Sequence, residues 1–276
     1  MKLTTPFKAA AEFEKELTDF ANIHKTTLAE HSKRISEYFE MSCYNLIVRY
    51  YEKKGYTLEV QNLQSGRFRF KCSPKGFLSN FSYFKASKTN EDGSEEVFFI
   101  FHNATVQSSF DNDVFTTPDI VVSSSETPSE KKGHYATNMV LTYISKENLI
   151  TFCEAKHLVP FAELMVCFTG TVHELKPECM SAEEEKKESN HIAPSLMMSG
   201  TLSKTTRKIK DSMESRYYIN YLDNLFEDKS VKLFHSKAQM NEISTLGKKS
   251  EKADKAMNNY SQIFTPEQLK EILDNV

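Results

Sequence analysis

Leu149–Val159 reads LITFCEAKHLV. Leu149, Ile150, Phe152, Leu158 and Val159 make it a strand that crosses a protein core, yet Glu154 and Lys156 stand within it. Residues i and i+2 of a strand point to the same face, so both charges emerge side by side. Burying an unpaired charge costs several kcal/mol or forces neutralisation. Three arrangements satisfy the pair: a structural ion pair, an edge-strand device, or part of an active site.

Working outward, the residues on either side predict a mixed α/β domain, a central mixed sheet flanked by helices. Upstream, RISEYFEMSCYNLIVRYYEKKGY places Ile35, Tyr38, Phe39, Leu46 and Tyr50 at three- and four-residue intervals, the stripe of an amphipathic helix. Lys53, Lys54 and Gly55 form its stop. From Tyr56 the period becomes two, predicting strands near 56–63 and 66–72 with a turn at Ser65-Gly66, an irregular segment over Ser73–Ser94, and a strong strand at Glu96–Thr105. Thr116–Ser123 (TTPDIVVS) is short and β-rich, and Ser123–Gly133 is a polar loop or hairpin tip. Strands are expected at Asn138–Ile144 and Leu149–Leu158, then a helix opened by Pro160. Ala182–His191 is a charged break, APSLMMSG a short strand, and SRYYINYLDNLFE a helix preceded by the basic stretch Lys204–Lys210. The expected division is a helical extension over 1–34, a core over 35–203 and a helical region over 204–276.

With 39% hydrophobic and 26% charged residues, the composition is that of a globular protein. No apolar run approaches the roughly 20 residues that span a bilayer, and the acidic N-terminal stretch lacks a secretory h-region. A cytoplasmic protein with no membrane partner is expected. Five cysteines without a CxxC pair argue against a disulfide framework and a zinc knuckle. The net charge of −3 neither advertises a nucleic-acid partner nor excludes one. Ser-His-Asp, GxSxG, Walker and GxGxxG patterns are absent.

Seven Glu-x-Lys triplets occur, but only Glu154/Lys156 lies in an apolar β-run, and the one Pro-Asp, Pro118-Asp119, directly precedes Ile120-Val121-Val122. With the helix before, ending at Gly55-Tyr56, and the helix after, these residues resemble the PD-(D/E)xK nuclease superfamily over roughly 35–200. The resemblance implies a restriction-endonuclease-like core with helical N- and C-terminal additions. The chain lacks the Gln-xxx-Tyr motif of one branch, carrying Glu163 and Cys167-Phe168 in that region, which points to the restriction-enzyme side or to a divergent member.

The implied site has Asp119 and Glu154 as metal ligands, helped by the Ala155 carbonyl, with Mg²⁺ as cofactor and Mn²⁺ as a substitute. Mg²⁺ takes oxygen ligands and keeps several waters, neutralises phosphate charge and lowers the pKa of a bound water. Lys156 positions that water or stabilises the transition state. Glu40 on the first helix adds a fourth catalytic group, with Glu37 its rival. Arg67, Arg69 and Lys71, alternating on one strand face, and Lys204, Arg207 and Lys208 are candidate phosphate contacts. His102 and His157 either approach the site or simply pack. The expected activity is a Mg²⁺-dependent endonuclease acting on DNA, plausibly a homodimer, serving antiviral defence or a mobile element. Two alternatives stand beside it: a non-catalytic interaction module, and an RNase or ligand-activated effector nuclease.

Overall fold

The computed structural model describes residues 35–63, 68–71, 76–134, 139–181 and 191–225. The expected 1–34 extension, the turn at Ser65-Gly66, Arg67 and the tail beyond 225 lie outside the described residues.

The predicted first helix is α1 (Ile35–Lys53), and its stop is built as the composition requires. Gly55 takes φ +86°, a left-handed conformation that glycine adopts without penalty. The Gly55 and Tyr56 amides fold back onto the Glu52 and Tyr51 carbonyls, at 3.0 and 3.1 Å. The chain then enters β1 (Thr57–Gln61).

Next to β1 in the sheet is β2 (Tyr83–Thr89), from the segment expected to be irregular. Of the strand expected at 66–72, the described residues 68–71 belong to none of the seven strands; Phe68 makes a lone β-bridge and the Arg69 carbonyl accepts the Ser82 amide at 2.9 Å. The alternation that suggested a strand still does its packing work, because Phe68 and Phe70 are buried against Tyr44 and Phe84. In YFKASKT the same alternation buries Phe84 and Ala86 while leaving Tyr83 and Lys85 half-buried, and this segment makes the ladder instead.

Among the described residues the main sheet has seven strands in the order β1-β2-β3-β6-β9-β10-β11, with β3 at Glu95–His102, β6 at Ile120–Ser123, β9 at Leu149–Lys156, β10 at Ser195–Met198 and β11 at Asn220–Leu222. β1 to β9 pair antiparallel, while β9, β10 and β11 run parallel, joined by α2 (Ala162–Leu175) and α3 (Lys204–Arg216). Parallel neighbours need a crossover, and a helix supplies each one. Phe39, Tyr44, Ile47 and Tyr51 of α1 pack on one face with Phe98, Ile100, Ile120 and Val122. Met165, Phe168 and Val172 of α2 pack on the other with Phe101, Val121, Phe152 and Leu196. Both faces are covered, which is why β3 reads as a nearly continuous apolar run.

The 35-residue span from Asp119 to Glu154 leaves the main sheet after β6. β7 (Ser129–Lys131) and β8 (Leu141–Tyr143) pair with each other. β4 (Val106–Gln107) and β5 (Phe115–Thr116) form another small ladder, and a Val106–Ile144 bridge joins the two. The strand expected over Thr116–Ser123 is thus broken at Thr117-Pro118-Asp119.

The C-terminal expectation needs a larger correction. The helix is Lys204–Arg216, not SRYYINYLDNLFE, and Tyr217 is already extended at φ −128°. Ser203 caps the helix by accepting the Thr206 amide at 3.2 Å. Tyr218 to Leu222 are buried in unbroken succession, the signature of a strand covered on both faces. The sheet therefore continues past residue 203, and no boundary separates 204–225 from it. At the outer edge of β11, the Tyr221 amide donates to Glu214 Oε1 at 2.8 Å and the Tyr221 carbonyl accepts from the Lys210 ammonium. Lys210 and Glu214 also pair with each other at 3.4 Å.

Candidate active site

The site forms where β6 and β9 part. Their last paired residues are Ile120 and Cys153, and the same antiparallel register carried one step further sets Asp119 opposite Glu154. There the ladder changes character. The Asp119 amide-bearing backbone stays with β3, its carbonyl accepting from Asn103 at 2.8 Å. Its side chain turns across to β9, where Oδ2 accepts the Ala155 amide at 2.7 Å. A carboxylate thus stands in for a strand carbonyl, and Pro118, which has no amide to donate, sits where the strand is broken.

Lys156 completes the arrangement. Its ammonium donates to Asp119 Oδ2 at 3.0 Å and to Glu154 Oε2 at 2.9 Å. The Asp119 and Glu154 side chains are 11% and 17% exposed and that of Lys156 36%, so the ammonium opens toward solvent while the carboxyl groups sit deeper. Both members of the pair singled out in LITFCEAKHLV therefore converge on Asp119.

Glu40 on α1 joins them electrostatically. Burial and then the Asp119 charge push its pKa from 4.5 up to about 7, against the pull of Lys156 and a hydrogen bond from the Asn103 side chain. Glu154 is raised by the same two causes, burial first and Asp119 second. Burial works against the Lys156 charge, but Asp119 and Glu154 outweigh it and hold the ammonium above the usual lysine range. Asp119 and Glu154 share the one ammonium, and burial together with the Asp119 charge favours the protonated forms of Glu40 and Glu154. Glu37 acts on Glu40 only as a further negative neighbour.

Among the described residues, no three His, Cys, Asp or Glu side chains already stand together as a metal cage. The donor set nonetheless suits a hard divalent cation: Asp119 and Glu154 offer oxygens where an ammonium already bridges them, and Mg²⁺ needs few protein ligands because it keeps waters. The Ala155 amide points to Asp119, and the carbonyl of an extended residue lies on the same side as its amide.

The other expected residues separate. Lys71 is buried at 2% exposure and donates to the Asn103 carbonyl at 2.7 Å, so it is no surface phosphate contact. Burial lowers its pKa to about 8. The Arg69 guanidinium lies over the Phe81 ring at 5.3 Å. Lys204, Arg207 and Lys208 are exposed on the first turns of α3, with Arg207 4.0 Å from Asp223. Their helix starts beyond the C-terminal end of β10, the sheet end that also carries Lys156. His102 is buried beneath Tyr44 and Phe70, and its Nδ1 bonds the Lys71 carbonyl at 3.1 Å. Burial lowers it to about 4, which keeps the ring neutral. His157 packs against Phe39. Tyr218 and Tyr221 are core residues, and among the described cysteines none is disulfide-bonded. No helix among the described residues is long and apolar enough to cross a membrane.

Asn103 is the residue that sequence reasoning passed over. It ends β3 at φ 51°, a left-handed conformation that asparagine tolerates better than most residues. An Asn directly after the apolar run EVFFIFH is the signal that marks such a strand end.

Gly200 fixes the turn behind Lys156. Its amide bonds the Leu158 carbonyl at 3.1 Å, and a Cβ there would lie 2.6 Å from Leu158 O and 2.7 Å from Val159 Cα. Both are main-chain atoms, so Gly200→Ala must displace the end of β9. We expect a loss of about 1–3 kcal/mol in denaturant unfolding, the range for overpacking. An unchanged midpoint would show that the turn yields freely.

No protein-family model matches the chain, and neither the curated proteins nor the solved structures include a match to it.

Proposed function

We propose that the protein is a Mg²⁺-dependent endonuclease of the restriction-endonuclease-like kind, hydrolysing phosphodiester bonds in DNA. The observation that carries this reading is the meeting of Asp119 and Glu154 from adjacent strands on the Lys156 ammonium, at 3.0 and 2.9 Å, at an open sheet end. The order α1, antiparallel strands, α2 and parallel β10 supports the proposed core, with Asp119 and Glu154 on adjacent strands.

In this reading Asp119 and Glu154 are the metal ligands, with the Ala155 carbonyl beside them. The bound cation would supply charge neutralisation at the phosphate and a water of lowered pKa. Lys156, once its carboxylates are engaged, is free to orient that water and to hold charge developing on phosphate oxygens. Lys204, Arg207 and Lys208 would contact flanking phosphates from the same sheet end. Cutting both strands requires two sites, so a homodimer is part of the proposal, as is a role in defence or in a mobile element.

The test is cleavage of plasmid DNA and of RNA with Mg²⁺ or Mn²⁺, wild type against Asp119→Ala. Metal-dependent nicking that the variant lacks is expected. Cleavage by neither protein, or by both equally, would overturn the proposal, and cleavage of RNA alone would move it to the RNase class.

A further inference from the structure

The segment that leaves β9 exposes apolar side chains directly after the Glu154–Lys156 pair. Phe161 is 47% exposed at the entry to α2, with Val159 on the near side of the buried Pro160 and Val166 in the helix more exposed still. The neighbouring bank is basic. The Ser199 and Gly200 amides bond the Lys156 and Leu158 carbonyls at 3.3 and 3.1 Å, which ties the loop between β10 and α3 to this segment. α2 and α3 each return from a parallel strand along the same sheet face, packed in one cluster that includes Met165, Ile209 and Met213. Their first turns therefore lie side by side at the sheet end that carries Lys156. Lys204, Arg207 and Lys208 are exposed there. Arg207 has Asp223 at 4.0 Å, whereas Lys204 and Lys208 have no acidic partner among the described residues. Glu163, exposed in the first turn of α2, is the acid on the apolar bank.

We propose that this end of the molecule docks a DNA strand with an unpaired base beside the cut: the base stacks on Phe161 while its phosphates meet Lys204, Arg207 and Lys208. The proposal rests on the DNA-cleaving reading above and narrows its substrate to DNA that is single-stranded, or opened, at the scissile phosphate. Charge complementarity selects this occupant. An apolar protein face would match Phe161 and the valines but leave two exposed ammonium groups without a counter-charge. A nucleic-acid strand matches both banks, because each base offers a π-face and each linkage an anion. Stacking of bases on an aromatic side chain next to a cationic track is how single strands are held without regard to sequence. A base inside an intact duplex must first be unstacked and unpaired, which makes the closed duplex the poorer ligand.

The experiment is fluorescence anisotropy on the full chain in chelator, with a short single-stranded DNA and its blunt duplex, folding being followed by thermal melts. The single strand should bind more tightly than the duplex. Phe161→Ala should weaken single-strand binding about 5- to 150-fold, the range for one lost base stack. Phe161→Tyr should keep most of the affinity and Phe161→Leu should not, which separates stacking from plain apolar contact. Lys204→Ala combined with Lys208→Ala should flatten the log–log salt dependence by roughly 1.4, about 0.7 for each single-strand phosphate contact, a slope that Phe161→Ala leaves unchanged. Equal single-strand affinity of Phe161→Ala and wild type overturns the proposal, as does tighter binding of the duplex. A change in self-association alone, read by sedimentation, also overturns it and makes the patch a subunit contact. These outcomes leave the nuclease reading standing, because cleavage with Mg²⁺ is measured separately. Binding through Phe161 without cleavage overturns that reading alone, and no binding of DNA overturns both. Should Phe161→Ala fail to fold, the wild-type protein decides: the Phe161 ring resonances should move upfield as single strand is added, and unmoved resonances refute the surface.

Discussion

If the protein is the nuclease proposed, Lys156→Met is expected to cut cleavage by orders of magnitude and, in the same protein, to make stability depend on divalent metal. The ammonium bridges Asp119 and Glu154 at 3.0 and 2.9 Å, and methionine keeps the stem while removing the charge. What remains is two carboxyl groups within hydrogen-bonding reach of each other, with Glu40 near by. Breaking a buried pair by deleting one partner costs about 3–5 kcal/mol. Lys156 is about one-third exposed, so water screens part of that, and about 1–3 kcal/mol is the expected loss in chelator. Mg²⁺ should restore it, and should raise the melting temperature more in the variant than in wild type, where the ion must displace the ammonium. Cleavage should nonetheless fall by about 10²–10³-fold, the usual effect of losing one preorganised transition-state donor. Thermal melts with chelator or Mg²⁺, paired with a cleavage assay, read both halves. A variant that binds metal and still cleaves would remove Lys156 from the chemistry.

The second large effect is on pH. The Glu40 carboxyl group titrates near pH 7 in the folded protein against an ordinary 4.5, because burial and Asp119 disfavour its charged form. Glu154 moves in the same direction for the same reasons. Between about pH 4.5 and 7 the folded state therefore holds more protons than the unfolded chain. These two groups make the metal-free protein less stable as pH rises through that window, since the slope follows the difference in bound protons, while His102, lowered to about 4, works the opposite way below about pH 6.5. Each kcal/mol lost lowers the melting temperature by roughly 2–4 °C for a domain of this size. Metal binding should strengthen over the same window, because the ligands must be deprotonated, and should release protons. Asp119→Asn removes the charge that acts on both glutamates and should flatten the profile. Melts from pH 5 to 8 in chelator check this; a curve that rises from pH 5 to 7 would show that the cluster is not what governs stability there.

How legible the molecule was in its sequence varied with the kind of interaction. The LITFCEAKHLV strand and its partner Asp119 were readable because a charge in an apolar run has so few acceptable explanations. Glu40 was readable as a candidate since it falls on the stripe side of a clear amphipathic helix. Lys71 was not: alternation with Phe68 and Phe70 suggests a wet face, and only the fold brings the Asn103 carbonyl to its ammonium. Asn103 escaped because its importance lies in main-chain direction, which no residue pattern spells out. Tyr217 to Leu225 misled for a related reason. Its apolar residues fall at helical spacing, but continuous burial between β10 and α3 favours the extended chain, and Ser203 had already capped a helix that starts at Lys204, eleven residues before the one expected.

The outer side of β11 bears on how the molecule recognises its own kind. A last strand normally presents unpaired main-chain groups that another chain can copy. Here an acid and a base one helical turn apart, Glu214 and Lys210, occupy the donor and acceptor of Tyr221 as a neighbouring backbone would. Among the described residues β11 is the last strand of the sheet, and the outward valences of Tyr221 are filled by side chains. Two residues that look like ordinary surface charges thus act as a guard against templated growth, and natural selection at those positions would be felt as solubility rather than as catalysis.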